Sequence, residues 1–306
     1  MLIDILIPTY NRAKDVLMNL EILQQEIEKQ ELWDTIQIIV SDNCSTDETE
    51  QLVQPFLGKK VQVQYYKNDT NIGLEPNALA VLSKATSPYV LFLGDDDFLA
   101  PDYLQYCLDS IAKHSNLSCI IPGILSVFAD GTMKDVRGNN PEKILQPSFE
   151  AVLEGSHWGH QMSGILCKKE GLIESYLSQK EHRTPYLFLY FTAYSLSKGT
   201  GIYNPQYKTR VNNFNEKDWG YNKVGLLDDV YKCYYFFKDT FTESQITTLL
   251  IHFTRLHSYR LAFSSKNPSI IYKQYKYLLK STPPFKGFNA ELRKLFIKES
   301  ILAYIK

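Results

Sequence analysis

Three consecutive aspartates follow the most hydrophobic strand-like segment of the chain. They are Asp95, Asp96 and Asp97, within YVLFLGDDDFLAPDYL, residues 89–104. In an extended segment, alternate residues point the same way, so Asp95 and Asp97 would share one side. Two hard carboxylates suit Mg2+ or Mn2+, which typically keep waters and share a ligand's phosphates. The alternative is that they cap a helix starting near Pro101, although three aspartates exceed what one cap needs.

A fourth aspartate stands directly after another apolar run. Asp42 lies in VSDNCSTDET, residues 40–49, where its carboxylate could accept hydrogen bonds from a base or a ribose. Residues 45–48 resemble a capping box that opens the next helix, which predicts structural roles for Ser45 and its neighbours but does not explain Asp42. Neither this loop nor NDTNIG, residues 68–73, fits G-x-G-x-x-G or G-x-x-x-x-G-K-[ST], so a dinucleotide fingerprint and a P-loop are both disfavoured.

The first third of the chain alternates between strand-like and helical patterns. Apolar, β-rich runs are LIDILI, TIQIIVS, VQVQYY and YVLFL; helical patterns cover residues 13–31, 47–57, 74–84 and a segment after Pro101. This alternation predicts an α/β fold, a Rossmann-like, mostly parallel sheet flanked by helices, with right-handed crossovers. In such sheets ligands bind outside the carboxyl ends of the strands. The polar segments PTYNR, DNCSTDE, NDTNIG and GDDD each follow a strand and should converge there.

The rest of the chain is less regular. Residues 119–128 and 163–168 read as strands, residues 129–133 as a turn and residues 185–198 as a helix. From Leu226 the pattern is helical and rich in Tyr and Phe. We therefore predict an α/β domain over residues 1–220 and a helical, aromatic and basic region over residues 221–306.

Composition and charge exclude several classes of protein. Five scattered cysteines, never in a C-x-x-C pair, argue for a reducing compartment and against a disulfide framework or a zinc cluster. The N-terminal run is too short for a signal peptide, which predicts a cytoplasmic protein, and a pI of about 6.6 gives no reason to expect nucleic acid.

Residues 264–306 carry nine Lys or Arg against two Asp or Glu. This tail suits peripheral contact with an anionic membrane, or else forms a helical cap with a solvated lysine face.

Four motifs together resemble the family 2 glycosyltransferases of the GT-A fold. ILIPTYNR, IIVSDNCSTDET, NDTNIGLEPNA and YVLFLGDDDFLAP occur in the order and spacing of that family. FLGDDD and SDNCSTDET are most similar to the branch that contains abequosyltransferase-like and other bacterial surface-polysaccharide enzymes. The resemblance implies transfer of a sugar from a nucleotide-sugar donor to a glycan acceptor, including a lipid-linked one, in surface polysaccharide synthesis.

The resemblance also implies roles for individual residues. It assigns the nucleotide pocket to Pro8, Thr9, Tyr10, Arg12, Asp42, Asn71, Gly73, Asp95 and Asp96. Asp42 would read the base edge, which favours a UDP- or dTDP-sugar, while Asn71 and Gly73 would lie beside the ribose or diphosphate. Asp95 and Asp97 would form the DxD pair, with Asp97 on a Mn2+ or Mg2+ ion that bridges the diphosphate. That cation would offset the crowded carboxylates and stabilise the leaving group as a Lewis acid.

One part of the family pattern is missing from this sequence. Many inverting members carry a Glu-Asp pair in the second half, whose Asp deprotonates the acceptor, but the corresponding stretch EHRTPYLFLYFTAYSLSKG has no Asp. Glu181, His182 and His160 are the candidate general bases, and His157 is a further one. Arg210 and Trp219 would close over the diphosphate and stack on a sugar, unless they form a surface ion pair and a core anchor.

Two other functions stay open on the sequence. A sugar-nucleotidyltransferase also uses a parallel sheet and a metal, but such enzymes usually have a glycine-rich, basic loop after the first strand, and IPTYNR has no glycine. A non-catalytic glycan-binding protein would keep the fold without turnover, which the missing acid allows. The donor sugar, the acceptor and the stereochemical outcome do not follow from these residues.

Overall fold

The structure is a computed structural model that describes residues 1–138, 141–213, 225–258, 261, 263, 266–280 and 286–305. In this part of the chain nine strands form one sheet: β1 Ile3–Thr9, β2 Ile36–Asp42, β3 Gln62–Lys67, β4 Tyr89–Phe92, β5 Leu117–Val127, β6 Met133–Arg137, β7 Lys143–Leu145, β8 Ile165–Lys168 and β9 Thr200–Asn212. The α-helices are α1 Ala13–Lys29, α2 Thr49–Val53, α3 Leu74–Lys84, α4 Tyr103–Lys113, α5 Phe149–Gly155, α6 Leu172–Leu177, α7 Leu187–Lys198, α8 Gly225–Tyr235, α9 Glu243–Leu256, α10 Pro268–Lys280 and α11 Lys286–Ile305.

The first four strands form the parallel half of the sheet, in the order β3-β2-β1-β4. Every residue of β1, β2 and β4 is buried, as expected for strands covered by helices on both faces. Because the strands are parallel, their carboxyl ends open on one edge. The predicted α/β fold with a mostly parallel central sheet is confirmed.

The other strands extend the sheet beyond β4. Strand β8 is antiparallel to both β4 and β5, and β5 runs parallel to β9, so six of the nine strands in the described residues (β1–β5 and β9) point the same way. Strand β6 pairs with the last residues of β5, and β7 pairs with β9 at the edge. Strands β8 and β6 therefore lie on the same side of β5.

The local predictions differ in quality. Helix α3 has the predicted limits, and α1 ends two residues early. The predicted helix over residues 47–57 is only the five-residue α2 followed by a short 3-10 turn. Strand β9, the longest in the described residues, was not predicted, because Pro205 and a run of polar residues interrupt its apolar pattern.

The C-terminal helices share a core with the sheet domain. A single buried cluster contains residues of α5 and α7 together with residues of α8, α9, α10 and α11. Tyr190 on α7 packs on Phe236 with ring centres 4.3 Å apart, and Ser156 hydrogen-bonds Tyr234 (2.9 Å). The predicted boundary at residues 220–221 lies outside the described residues. Among the described helices, none is long and apolar enough to cross a bilayer.

Candidate active site

Four loops meet at the carboxyl ends of β1 to β4, where the sequence predicted that polar segments converge. They are residues 10–12, 43–48, 68–73 and 93–102. Side chains of one loop bind the next: Asn11 joins the first and second, and Asn43 joins the second and third. Arg12 connects the first loop with the fourth. The four loops therefore form one continuous polar surface.

The aspartates lie in a tight turn that helix α1 holds in place. The backbone N–H of Asp97 donates to the carbonyl of Gly94 (3.1 Å). The side-chain amide of Asn19, which is buried, donates to the carbonyls of Gly94 (3.0 Å), Asp95 (3.3 Å) and Asp97 (2.9 Å). The segment is thus a turn and not an extended strand, so strand alternation does not describe the directions of Asp95 and Asp97. Sequence analysis also missed Asn19, whose signal is a polar residue on the apolar face of α1.

The first two carboxylates contact residues at and just after the end of β1. Oδ2 of Asp95 accepts a hydrogen bond from the hydroxyl of Thr9 (2.9 Å). Oδ2 of Asp96 lies 3.6 Å from Nη1 of Arg12. The two carboxylates therefore have different neighbours, and helix α4 has no side-chain cap from this turn. The capping alternative for the three aspartates is wrong.

The third carboxylate is held from the other half of the chain. Asp97 is 7% exposed, and its Oδ2 accepts a hydrogen bond from the hydroxyl of Ser163 (2.5 Å). Its Oδ1 accepts one from the backbone N–H of Asn212 (3.3 Å). A Cβ on Gly94 would stand 2.8 Å from Oδ2 of Asp97, so this arrangement requires glycine there. Ser163 is a site residue that the sequence did not reveal.

Asp95 has the perturbed acidity expected of a functional carboxyl group. Burial, followed by the negative charge of Asp96, raises its pKa to about 7, although the Thr9 hydroxyl and Arg12 act in the opposite direction. At neutral pH this turn therefore carries a carboxylate whose charge is poorly compensated by the protein. A cation at this place would relieve that cost.

We expect the Asp95→Asn variant to be more stable than the wild type in the absence of ligand, increasingly so as the pH rises. Between the unfolded pKa near 4 and the folded value of about 7, the folded chain binds a proton that the unfolded chain has released. The free energy of unfolding therefore falls as the pH rises through this window. The advantage of the variant should be larger at pH 8 than at pH 5, with about 2–4 °C in Tm for each kcal/mol relieved. Thermal melts at both pH values, with the exposed Asp102→Asn as control, test this; a pH-independent difference contradicts the assignment.

The turn has the donor chemistry of a hard cation. Asp95 and Asp97 place carboxylate oxygens at this turn, and a carboxylate oxygen that accepts one hydrogen bond can also bind a cation. Among the described residues, no group of three His, Cys, Asp or Glu side chains could hold a metal ion by itself. Mg2+ and Mn2+ sites commonly use one or two carboxylates and take their remaining ligands from substrate phosphates and water. The residues fit such a shared site.

Asp42 ends β2 and has no exposed surface. Its Oδ1 accepts the backbone N–H of Ser45 (2.7 Å), and its Oδ2 accepts the hydroxyl of Tyr65 (2.5 Å). Burial, and then the bond to Asp42, raise the pKa of Tyr65, so the phenol stays protonated and donates. A base could therefore reach this carboxylate only if a covering side chain moves.

The loop after β3 is anchored by an amide network. Oδ1 of Asn71 accepts the side-chain amide of Asn43 (2.8 Å) and the backbone N–H of Gly73 (3.0 Å). Oδ1 of Asn43 accepts the N–H of Ile72 (2.9 Å). Gly73 has φ +90°, a conformation that favours glycine, at the start of α3. Asn71 and Gly73 thus lie in the loops that meet at this edge of the sheet, and Asn43, which the motif contained but the prediction omitted, supports them.

The residues at the end of β1 and just after it differ in how far they are exposed at this surface. Pro8 and Thr9 are buried in the strand, whereas Tyr10 is 42% exposed. Arg12 lies between Asp96 and Asp15, 3.6 and 3.5 Å away. Tyr10 is therefore the member of this group that offers a free aromatic face.

The capping box predicted for residues 45–48 is absent. Helix α2 starts at Thr49, and its cap residue Glu48 makes no side-chain capping bond. Oγ of Ser45 instead accepts the backbone N–H of Asn11 (2.8 Å), and Asp47 accepts that of Ala13 (3.0 Å). These residues are structural, as predicted: they connect two loops, and Oδ1 of Asp47 also accepts the backbone N–H of Thr49, the first residue of α2 (3.1 Å).

Two candidate bases lie on a 3-10 turn at Lys180–His182. Glu181 is exposed, while His182 packs edge-on against Phe236 with ring centres 5.5 Å apart, and burial lowers its pKa. The next residue, Arg183, forms a bidentate ion pair with Glu75, in which both N···O distances are 2.7 Å. Because Glu75 stands in the first turn of α3, this pair ties the turn to the Gly73 end of the site.

The third candidate base faces the C-terminal helices. Nδ1 of His160 contacts the carbonyl oxygen of His157 (2.7 Å), and its ring packs against His257 with centres 4.7 Å apart. Ser163, only three residues further on, contacts Asp97. His160 is thus near the acidic turn along the chain, but its ring is engaged by α9. Burial, with the nearby His160 and His252, lowers the pKa of His157 to about 3, so it is neutral.

Arg210 is attached to the acidic turn through its backbone. The backbone N–H of Arg210 donates to the carbonyl of Phe98 (2.8 Å), and the backbone N–H of Phe98 donates to the carbonyl of Arg210 (2.9 Å). The second residue predicted to close over the diphosphate, Trp219, lies outside the described residues. Arg210 is therefore held beside Phe98, the residue that follows Asp97.

Comparison with known proteins gives a consistent family assignment. The family model described as glycosyl transferase family 2 matches residues 4–157, half of the chain. Abequosyltransferase RfbV of Salmonella typhimurium is 40% identical over 117 residues, which are 37% of this chain and 34% of that protein. Poly(ribitol-phosphate) beta-N-acetylglucosaminyltransferase TarS of Staphylococcus aureus is 31% identical over 114 residues, 36% of this chain and 19% of that protein. These matches span about a third or less of either relative.

Solved structures show the same fold over nearly the whole chain. TarS residues 1–349 of S. aureus, in complex with UDP-GlcNAc, superpose with a TM-score of 0.69 at 14% identity, covering 99% of this chain and 90% of that one. The mannosyltransferase PcManGT of Pyrobaculum calidifontis, in complex with GDP-Man and Mn2+, gives a TM-score of 0.52 at 14% identity, covering 98% and 86%. At these identities the likeness concerns the fold.

Proposed function

The chain belongs to glycosyl transferase family 2, and from this premise we propose that it transfers a sugar from a nucleoside-diphosphate sugar to a hydroxyl group of a glycan in bacterial surface polysaccharide synthesis. In this transfer the acceptor oxygen forms a bond to the anomeric carbon, the bond from that carbon to the diphosphate breaks, and the acceptor proton goes to a base. The favoured donors are UDP- and dTDP-sugars.

The acidic turn is the observation that carries this proposal. It places Asp95, with its raised pKa, and the buried Asp97 at the edge where the loops after β1, β2 and β3 converge. Asp95 and Asp97 would hold Mn2+ or Mg2+, which, when bound, supplies positive charge to the leaving diphosphate. Solved relatives with the same fold carry Mn2+ beside a nucleotide or nucleotide sugar, which supports a divalent cation here.

The surrounding residues would bind the nucleotide. Asp42 accepts the N–H of a pyrimidine base once Tyr65 moves away from its carboxylate, and Tyr10 offers an exposed ring for stacking. Asn71 and Gly73 lie beside the ribose or diphosphate, on a loop that the Asn43 network holds rigid. Rigid positioning of this kind is what a transfer reaction needs.

The proton acceptor would come from the second half of the chain. Glu181 and His182 are linked to the site through the ion pair of Arg183 with Glu75, whereas the ring of His160 is turned toward α9. The lowered pKa of His182 keeps its imidazole neutral and able to accept a proton near pH 7. We therefore rank Glu181 and His182 ahead of His160.

A binding panel tests the nucleotide assignment. UDP, dTDP, CDP, GDP and ADP are compared by thermal shift with Mn2+ and with EDTA, because a ligand selective for the native state raises Tm. The proposal expects UDP or dTDP to give the largest shift, and only with Mn2+. A chain that responds to none of the five contradicts it. Pyrophosphate release from a nucleoside triphosphate and a sugar phosphate would favour the nucleotidyltransferase alternative.

We propose that the protein is cytoplasmic and contacts the membrane, where a lipid-linked acceptor would lie, through the exposed surface of its C-terminal helices. Apolar side chains that are 40–57% exposed on α10 and α11 are Ile270, Tyr272, Tyr277, Ile297, Ile301, Leu302 and Tyr304. Exposed lysines on the same helices include Lys273, Lys276 and Lys298. Apolar insertion combined with basic residues is the usual basis of peripheral binding to anionic bilayers.

We expect the full-length protein to sediment with phosphatidylglycerol vesicles at low salt, with less bound as salt increases and little bound to phosphatidylcholine. Each basic residue near an anionic surface contributes about 1 kcal/mol, and salt screens this attraction. The double variant Ile297→Asp/Ile301→Asp should bind at least about tenfold less. Val136→Asp, an exposed apolar position on β6, is the matched control. Equal, salt-independent recovery in the supernatant with both lipids ends the membrane proposal.

A further inference from the structure

A buried arginine near the acidic turn has unsatisfied donors. Arg137, the last residue of β6, is only 7% exposed, and burial lowers its pKa to about 10. Its Nη1 donates to the carbonyl oxygen of Trp158 (2.8 Å). Within the described ranges, its Nε and Nη2 have no hydrogen-bond partner. The ionisable groups that act on its charge are the phenols of Tyr203 and Tyr103, not a carboxylate.

The surroundings of Arg137 connect it to the site. Arg137 and Thr209 both pair with Ile124 of β5, from opposite sides, and the hydroxyl of Thr209 is likewise buried without a partner among the described residues. A Cβ on Gly164 would come within 2.3 Å of that hydroxyl. Gly164 follows Ser163, whose hydroxyl holds the carboxylate of Asp97. The unsatisfied donors therefore lie next to the strand and loop that support the acidic turn.

The side chains around Arg137 are largely aromatic. The ring of Trp158 stacks on that of Tyr203 with centres 4.2 Å apart, and the hydroxyl of Tyr103 donates to the carbonyl of Gly164 (2.6 Å). Aromatic walls lower the local dielectric, so an uncompensated guanidinium among them is costly. They also make its attraction for an anion stronger than it would be in water. The features are those of a site whose counter-charge comes with a ligand.

We propose that Arg137 is the anchor of a subsite for an acidic group of the acceptor glycan, either a carboxylate or a phosphate. Nε and Nη2 are the two nitrogens that bind such a group side-on through two parallel hydrogen bonds. This proposal rests on the proposed function, since it assigns a chemical property to the acceptor: the glycan is anionic near the hydroxyl that is glycosylated. Arg137 would then select acidic acceptors over neutral ones.

Two variants separate ligand binding from a structural role. Arg137→Met keeps an unbranched side chain and removes the charge. Arg137→Lys keeps the charge but cannot form the two parallel hydrogen bonds of a guanidinium. Lys134→Met, an exposed position on the same strand, is the matched control. Because Arg137→Met removes a buried charge that the protein does not compensate, its ligand-free Tm should equal or exceed that of the wild type.

The experiment titrates inorganic phosphate and glucuronate, in separate arms, into protein saturated with UDP and Mn2+, so that donor-site binding does not contribute. The wild type and Lys134→Met should show a rise in Tm with at least one anion. Arg137→Met should bind that anion at least tenfold more weakly, with Arg137→Lys in between. A response to phosphate indicates an acceptor that carries a phosphate group, and a response to glucuronate indicates one that carries a carboxylate.

Two results would overturn the subsite. One is an equal response of Arg137→Met and the wild type, which would place anion binding elsewhere. The other is no response of the wild type to either anion, which would leave the arginine a structural role. The response to UDP with Mn2+ is measured first in every variant. A wild type that fails to bind UDP contradicts the proposed function, whereas one that binds UDP but not the anions contradicts only the subsite.

Discussion

Replacing Asp97 with asparagine is expected to remove most donor turnover, by at least about 100-fold, and most Mn2+-dependent affinity for UDP, while the protein stays folded. Loss of a supporting partner of a metal ligand alone typically costs 10–100-fold, and we propose Asp97 as a ligand itself. The substitution is nearly isosteric, but it puts an amide N–H2 where the carboxylate accepts from either Ser163 or the backbone N–H of Asn212. A modest fall in Tm is therefore compatible with the prediction.

The matched control for this substitution is Asp102→Asn, five residues further along the same loop. Asp102 is exposed and has φ +62°, a conformation that asparagine also adopts. It should retain wild-type turnover and UDP affinity. Wild-type turnover by Asp97→Asn would refute the metal assignment, and equal losses in both variants would attribute the effect to the loop as a whole.

Replacing Asp42 with alanine is expected to weaken UDP binding about 10–100-fold without abolishing the response to Mn2+. A lost hydrogen bond to a charged group is worth roughly 1.5–3 kcal/mol, and Asp42 is assigned to the base rather than the diphosphate. The structure adds a complication, because alanine also leaves the buried N–H of Ser45 and the hydroxyl of Tyr65 without their acceptor. Both Tm and UDP affinity, the latter by calorimetry, must therefore be measured.

Tyr65→Phe distinguishes the two effects of the Asp42 substitution. It removes the hydroxyl that covers Oδ2 of Asp42 and leaves the carboxylate in place. UDP affinity should be unchanged or higher in this variant. If Asp42→Ala lowers Tm but binds UDP as the wild type does, Asp42 supports the loop and does not read the base.

Local sequence patterns were enough to predict the parallel half of the fold and its ligand edge. Strands β1 to β4 are short apolar runs between helical repeats, and parallel strands must place their following loops together. The same four loops carry the motifs that identified the family, a prediction that the family comparison confirms. Helix α3 was predicted to the residue, because Gly73 and the residues after Lys84 interrupt its repeat on both sides.

The contacts that hold the site in place were not predictable in the same way. Asn19 binds three carbonyls more than 70 residues away, and Ser163 reaches Asp97 across 66 residues. Asn19 differs from other polar helix residues only in lying on the apolar face of α1, and Ser163 has no local signal that separates it from other polar loop residues. These bonds stabilise the turn at Gly94, which is why the expectation of an extended segment there was wrong.

The pair of Arg183 with Glu75 shows the same limitation at longer range. It joins the start of α3 to the turn that carries Glu181 across 108 residues, and only the folded chain reveals it. Strand β9 was missed for another reason: its backbone pairs with β5 and β7, although its side chains lack a clear strand pattern. Tertiary pairing outweighs side-chain propensity in this strand.

Metal-dependent glycosyl transfer is tested by measuring release of UDP or dTDP from the corresponding sugar donors by the wild type. We expect the nucleoside diphosphate to be released in the presence of Mn2+ or Mg2+. EDTA should abolish this release and added metal should restore it, and Asp97→Asn should release at least about 100-fold less. Release that is unaffected by EDTA, or an Asp97→Asn rate equal to that of the wild type, would contradict metal-dependent transfer.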